Sequence, residues 1–250
     1  MLSFLKKKNA EGKSPEANTP LMPIDMQEQD FLALYKLCKP FTMTSTERMY
    51  SLYKAVNYVL QNNIPGDFVE CGVWKGGSAL LIAKMLADKN IIDRKVILYD
   101  TYEGMSEPTE NDKDIAGQPA ISLLQKTSIE IQDSIWCYSS FDEVKANLSI
   151  SKLPEECIIM IKGKVEDTIP LQLPTKSISL LRLDTDWYES TKHELIHLYP
   201  LLNTNGVLII DDYGHWKGCR KAVDEYVSSN KLSILFNRID NTGRLAIKNL

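Results

Sequence analysis

Four aspartates stand where two strand-like runs of this 250-residue chain end. Asp184 and Asp186 follow the first run, and Asp211 and Asp212 follow the second. Because parallel strands of an open α/β sheet present their carboxyl ends at one edge, we expect these four side chains to converge there. Carboxylates gathered in a partly buried place repel one another, and a hard divalent cation relieves that repulsion. The spacing therefore predicts a cation site at the edge of a parallel sheet.

A glycine-containing turn could hold a nucleoside cofactor close to those acids. The segment 70–78, of sequence ECGVWKGGS, joins a predicted strand to a predicted helix, where glycines let the backbone bend and approach a ligand. Its acidic residue precedes the first glycine and its glycines are widely spaced, as in sites that hold S-adenosylmethionine. Asp100 ends the next predicted strand and could accept both hydroxyls of a ribose. The alternative is a turn that only permits close helix packing.

The elements that must position these groups alternate between strands and helices. Strands are predicted at 67–71, 95–100, 157–161, 177–183 and 206–210, with helices at 77–86, 140–148, 188–199 and 217–229 between or after them. Helices at 27–39 and 44–60 precede the first strand, and further strands are predicted near 232–236 and 244–247. This order predicts an α/β fold with a mostly parallel, doubly wound sheet, an antiparallel C-terminal edge and N-terminal cap helices.

The same pattern predicts how the chain is organised. We expect a single domain over 26–250, with a helical cap at 26–64. The polar stretch 101–119 is too long for an ordinary connection, which predicts a lid loop. Residues 1–25 are polar and interrupted by prolines, which predicts a disordered leader.

Composition narrows the classes of partner and compartment. A net charge of -4 gives no electrostatic reason to expect nucleic acid. No run has the length of a membrane span or the core of a signal peptide, so neither membrane insertion nor secretion is expected. The five cysteines contain no C-x-x-C pair, which favours reduced thiols in the cytoplasm. The sequence is compatible with a homo-oligomer.

One short motif points to a different chemistry. His193, Glu194 and His197 match H-E-x-x-H, in which two histidines one helical turn apart bind zinc and the glutamate acts as base. The longer metzincin pattern fails, because Pro200 and Asn203 stand where it requires Gly and His. The predicted helix also lies within a crossover, away from the carboxyl edge. A zinc-dependent hydrolase is kept as an alternative function.

Several long segments, taken in order, carry a family resemblance. They are PGDFVECGVWKGG at 65–77, LRLDTDWYEST at 181–191, LYP at 198–200, and DDY at 211–213 with its continuation to 224. Over about residues 40–250 the chain resembles the TylF/MycF/NovP family of sugar O-methyltransferases, which includes macrocin O-methyltransferase. Thr185 stands where that family commonly has Gly, and Cys71 where it commonly has Thr. Both departures leave the acids in place.

The resemblance implies a class I methyltransferase fold and Mg²⁺-dependent methyl transfer from S-adenosylmethionine to a hydroxyl of a sugar or glycoside. It implies Asp184, Asp211 and Asp212 as metal ligands, with Asp184 or Asp186 as general base. The cofactor-binding residues it implies are Met43, Glu70, Gly72, Gly76, Asp100, Tyr102, Ser140 and Asp167. The segment 101–119 matches the family poorly, so the acceptor is not indicated. A non-catalytic protein that binds S-adenosylmethionine is a further alternative.

Overall fold

Eight α-helices and seven strands organise the described part of the chain, which in this computed structural model is residues 22–131 and 134–249. The helices are α1 (Gln29–Cys38), α2 (Thr46–Gln61), α3 (Gly77–Asp88), α4 (Ala120–Leu124), α5 (Phe141–Ser149), α6 (Val165–Thr168), α7 (Tyr188–Leu198) and α8 (Lys217–Ser229). The strands are β1 (Asp67–Cys71), β2 (Val96–Asp100), β3 (Ile158–Lys162), β4 (Ile178–Leu183), β5 (Leu202–Ile210), β6 (Asn237–Arg238) and β7 (Arg244–Ile247). Most of the predicted leader lies outside the described residues.

The strands form one mixed sheet in the order β3-β2-β1-β4-β5-β7-β6. Strands β1 to β5 are parallel, whereas β7 pairs antiparallel with β5 and β6 pairs antiparallel with β7. This confirms the predicted fold class, including the antiparallel C-terminal edge. The order of the parallel strands reverses between β1 and β4, so a ligand crevice is expected above their carboxyl ends.

Alternate residues of the central strands pack into two separate cores. Phe68 and Leu180 face the core that also contains α1, α2, α3 and α5, whereas Val69 and Leu181 face the core formed with α7 and α8. Both faces of the parallel strands are therefore covered, which explains why their sequences are nearly continuous apolar runs. No helix in the described part is long and apolar enough to cross a bilayer.

The tail differs from its prediction. The strand predicted near 232–236 is wrong, because the chain is irregular there and pairs with β7 only at Asn237–Arg238. Leu232, Ile234 and Phe236 are partly buried against the core on the α8 side. Their alternation indicates side chains that pack against the core. A pattern of apolar residues does not distinguish such packing from strand pairing.

The first glycine of the turn after β1 has a steric role. Gly72 has a φ of 81°, and a Cβ built on it would overlap the backbone carbonyl of Asp184 at the end of β4. β1 and β4 are neighbours in the sheet, so this contact is where the two loops that carry the predicted site approach most closely. Only glycine combines the left-handed conformation with that approach.

We expect the substitution Gly72→Ala to lower the free energy of unfolding by about 3–5 kcal/mol, because it adds a backbone clash to the cost of a left-handed alanine. Gly117→Ala is the matched control. Its φ is 89°, but its Cβ would only approach the flexible Lys217 amine at 3.4 Å. That variant should lose about 1–2 kcal/mol, the conformational cost alone. Equal losses in urea denaturation would show that the clash is relieved.

Candidate active site

A cavity of about 390 Å³ opens at the carboxyl edge of the sheet, where the strand order reverses. Its walls come from the turn after β1, the ends of β2, β4 and β5, and the segment 41–44 that precedes α2. The predicted site residues that line it are Met43, Gly72, Asp100, Asp184, Asp186, Asp211 and Asp212. Residues from five separate stretches of the sequence thus meet in one cavity.

Three of the four aspartates form a compact cluster. Asp184, Asp186 and Asp212 each place a carboxylate oxygen within 4.8 Å of the others. Burial raises the pKa of Asp184 and Asp212 well above the usual range, and repulsion from neighbouring carboxylates adds to both shifts. Burial also raises the pKa of Asp186 to about 7. The full ionisation of this cluster is therefore costly unless a cation joins it.

Asp211 has a different environment, although it lies beside Asp212. One of its oxygens accepts a hydrogen bond from Arg182 at 2.6 Å, and the other is paired with Arg48 on α2. Its side chain is 3% exposed. Two arginines thus engage both oxygens of the residue that was predicted as a third metal ligand, and that assignment stays a prediction.

Arg182 is the centre of a buried ion-pair network. It lies on β4 directly beside Glu70 of β1 in the sheet register. Its guanidinium pairs with Glu70, with Asp184 at 2.9 Å and with Asp211 at 2.6 Å. Ser78, at the start of α3, donates a second hydrogen bond to Glu70. The arginine therefore supplies the positive charge that lets three acids lie close to one another under the cavity.

Asp100 fixes the backbone of the glycine turn. One carboxylate oxygen accepts hydrogen bonds from the backbone amides of Val73 at 2.6 Å and Trp74 at 3.2 Å, and the other accepts one from the amide of Tyr102 at 2.7 Å. Gly76, with a φ of 86°, then starts α3. The carboxylate of Asp100, which is predicted to bind a ribose, thus also fixes the backbone of the glycine turn.

The remaining predicted cofactor residues lie behind or beside the cavity. Glu70 lies beneath it in the Arg182 network, and the buried ring of Tyr102 packs edge-on against Phe141. Ser140 caps α5 by accepting a hydrogen bond from the amide of Glu143. Asp167 lies on the exposed side of α6. Their roles as ligand contacts stay predictions.

The two histidines of the H-E-x-x-H motif lie close together, with ring centroids 4.4 Å apart, but no third metal-ligating side chain joins them among the described residues. Glu194 is fully buried and accepts a hydrogen bond from the Thr185 hydroxyl at 2.9 Å. His193 and His197 are half-buried on the helix, and Nε2 of His193 lies 2.7 Å from the carbonyl oxygen of Ile169. Among the residues that the structure describes, the only group of three or more carboxylate, histidine or cysteine side chains close enough to hold one ion is the three aspartates. The zinc alternative is not favoured.

Sequence reasoning missed the two arginines of the site. Arg48 and Arg182 both line the cavity, and neither was assigned a role. A signal for Arg182 was present, because it interrupts the apolar run LLRL of a strand that is buried on both faces. A fully buried arginine requires acidic partners. The partner of Arg48 is 163 positions away, and no local pattern indicates it.

We expect Arg182→Met to lower the free energy of unfolding by about 3–5 kcal/mol, because it leaves the buried charge of Glu70 without a cationic partner and that of Asp211 with Arg48 alone. Arg220→Met is the matched control, since Arg220 is exposed and pairs with Asp224 one turn along α8. It should cost less than about 0.5 kcal/mol. Urea denaturation without divalent ions measures both values. A loss below about 1 kcal/mol in Arg182→Met would contradict the role given to this network.

Comparison with known proteins agrees with this geometry. The family model described as Macrocin-O-methyltransferase (TylF) matches residues 34–246. Over 202 residues, 81% of this chain and 73% of the relative, the sequence is 33% identical to demethyldecarbamoylnovobiocin O-methyltransferase from Streptomyces niveus. It is 32% identical, with the same coverage, to 8-demethyl-8-(2,3-dimethoxy-alpha-L-rhamnosyl)-tetracenomycin-C 4'-O-methyltransferase from Streptomyces olivaceus.

A solved structure gives the same result. The fold is similar to that of the O-methyltransferase NovP, with a TM-score of 0.74, 31% sequence identity, and coverage of 84% of this chain and 83% of NovP. These findings confirm the family resemblance that the sequence motifs indicated. The chain belongs to the macrocin O-methyltransferase family and is an S-adenosylmethionine-dependent O-methyltransferase.

Proposed function

We propose that this enzyme methylates a hydroxyl group of a sugar and that it requires Mg²⁺ for this transfer. The observation that carries the proposal is the cluster of Asp184, Asp186 and Asp212 in the same cavity as the glycine turn. A methyl donor on the turn and an acceptor oxygen at the acids would then be neighbours. The names of the relatives support the sugar, since one of them specifies a rhamnosyl group and a 4'-oxygen.

The residues at the glycine turn fit the methyl donor. When bound, S-adenosylmethionine supplies a methyl group that its sulfonium has already activated. Gly72 lets the backbone approach the ligand, and Asp100 lies at the end of β2, where an acid can meet ribose hydroxyls. Met43 is 45% exposed on the opposite wall and offers an apolar surface.

The acid cluster fits a hard divalent cation. Its donors are carboxylate oxygens, which Mg²⁺ prefers, and the pKa values of Asp184 and Asp212 are raised first by burial and then by repulsion from neighbouring carboxylates. Asp184 and Asp212 belong both to this cluster and to the ligand set implied by the family, so these two would hold the ion. Asp211 would become a third ligand if the cation replaced Arg48 as the partner of its carboxylate. Bound Mg²⁺ would stabilise negative charge that develops on the acceptor oxygen.

We assign the general base to Asp186. A sugar hydroxyl is a poor nucleophile until it loses its proton, and Asp186 lines the cavity beside Asp184 and Asp212, the two residues that would hold the ion. The hydroxyl proton would pass to a carboxylate oxygen of Asp186 while the oxygen forms its bond to the methyl carbon. The cavity walls would hold oxygen, carbon and sulfur in line, which supplies most of the remaining acceleration.

The acceptor side of the cavity is partly aromatic. His215 and Trp216, which follow β5, line it together with Met105 of the connection after β2 and Cys137 of the segment between α4 and α5. The ring of His215 lies edge-on to that of Trp216, with centroids 4.8 Å apart. The C–H groups of a sugar ring pack against aromatic and apolar surfaces, and its hydroxyl groups form hydrogen bonds with carboxylates. This part of the cavity offers both kinds of partner.

The acceptor is tested by incubating the enzyme with labelled S-adenosylmethionine, Mg²⁺ and a panel of nucleotide sugars and glycosides. We expect label to appear in the sugar of at least one class of acceptor, because the cavity places acids and aromatic walls together. A matched panel of catechols serves as control. Transfer to catechols with none to any sugar would contradict the proposal.

Metal dependence is tested by chelation followed by metal replacement. Activity should be lost on chelation and return with Mg²⁺, because the carboxylates require a cation to gather in ionised form. Asp184→Asn should reduce kcat/KM by at least about 100-fold, since it removes a ligand. His193→Ala is the control and should leave kcat/KM within about twofold. Restoration by Zn²⁺ alone, together with loss of activity in His193→Ala, would instead favour the zinc alternative.

A further inference from the structure

One buried carboxylate near the site has no part in the proposed chemistry. Asp112 lies in the connection after β2 and is 0% exposed. One of its oxygens accepts a hydrogen bond from the backbone amide of Tyr188 at 2.8 Å. The other accepts hydrogen bonds from the amide and the hydroxyl of Thr109, at 2.7 Å and 2.9 Å. A carboxylate in a polar loop that is fully buried, with both oxygens accepting hydrogen bonds, indicates a structural role.

Its partners belong to the first turns of two helices. Tyr188 is the first residue of α7, and Gly218 is the second residue of α8. A Cβ built on Gly218 would overlap the Asp112 oxygen that Tyr188 bonds, so the carboxylate rests directly against α8 as well. Helix N-termini carry partial positive charge and stabilise an anion. A single side chain therefore contacts the N-termini of both helices.

Those two helices follow the two acidic loops. Asp186 lies two residues before α7, and Asp212 lies five residues before α8. The residues just ahead of the helices, Trp187 and Trp216, are buried and meet edge to face, with ring centroids 4.9 Å apart. The acids of the cluster are thus connected to the two helix starts by only two and five residues of chain.

The connection after β2 is attached to this pair of helices at further points. The Trp187 indole donates a hydrogen bond to the carbonyl of Ser106 at 3.0 Å. The amide of Lys217 donates to the carbonyl of Lys113 at 2.8 Å. The segment 106–113 therefore lies across the start of α7 and the start of α8, with Asp112 at the centre of its contacts.

We propose that Asp112 is a positioning residue that holds the starts of α7 and α8 in a fixed relation and so keeps Asp186 and Asp212 at the separation that the cation site needs. It contacts no reacting atom. The inference rests on the proposed Mg²⁺ site, and it adds that the far end of the predicted lid at 101–119 is an anchored part of the site.

The test uses Asp112→Asn in the full-length enzyme. An asparagine has one acceptor oxygen in place of two, so it cannot accept the backbone amide hydrogens of both Tyr188 and Thr109 with the oxygens that Asp112 uses. We expect calorimetry to show Mg²⁺ affinity weakened by about 10-fold or more, as is typical when an outer partner of a metal ligand is removed. The affinity for S-adenosylmethionine should stay within about twofold, because β1 and β2 form that part of the cavity. Glu110→Gln, an exposed acid in the same loop, is the control for the loss of charge.

Hydrogen exchange gives a second measurement that needs no metal. The amides of Tyr188 and of the first turn of α8 should exchange faster in Asp112→Asn than in the wild type and in Glu110→Gln. Should Asp112→Asn fail to fold, Thr109→Ala removes only the hydroxyl bond and should show changes of the same sign and smaller size. Mg²⁺ affinity within twofold of wild type in a folded variant overturns the inference.

The outcomes also separate this inference from the proposed function. A wild-type enzyme that binds no Mg²⁺ would contradict the proposed metal site, and exchange would still decide the role of Asp112. In that case faster exchange at both helix starts supports the positioning role, and unchanged exchange overturns it. If the wild type and Asp112→Asn bind Mg²⁺ with the same affinity, only the positioning role is overturned.

Discussion

The buried guanidinium of Arg182 is the interaction on which the active site depends. Glu70, Asp184 and Asp211 come from three neighbouring strands and all pair with it. Without that positive charge, the carboxyl edge of the sheet would hold several buried carboxylates with little compensation, and burial makes their repulsion strong. The network leaves Asp184, Asp186 and Asp212 facing the cavity with an excess of negative charge. Both expected ligands, a sulfonium and Mg²⁺, are cations.

The same charges hold the helical cap and the C-terminal hairpin against the sheet. Arg48 of α2 reaches Asp211 at the end of β5 and also pairs with Asp240 at 3.0 Å. Asp240 in turn accepts a hydrogen bond from Ser45, the residue that caps α2, and from the backbone amides of Thr242 and Gly243. Segments from both ends of the described chain are thus joined beside the cavity, and Arg48 and Thr242 form part of its wall.

The acids of the site divide into two kinds that their sequence context does not distinguish. Asp211 and Asp100 are occupied by arginines and by backbone amides, so they maintain the shape of the cavity. Asp184, Asp186 and Asp212 lie within 4.8 Å of one another and line the cavity, and we propose them as the groups that take part in the chemistry. Asp112 contacts the starts of the two helices that follow the acidic loops.

Local pattern in the sequence determined the order of strands and helices, the carboxyl-edge position of Asp184, Asp186, Asp211 and Asp212, and, through motif resemblance, the family. Each of these depends on residues that are close in the chain or that recur with the period of a strand or helix. Only the tertiary structure decided that Arg48 meets Asp211, that Arg182 joins three strands, that Glu194 is buried beneath Thr185, and that Asp112 touches two helices. These contacts join residues up to 163 positions apart. They depend on which strands become neighbours and on how helices pack across them, and neither is encoded in local periodicity.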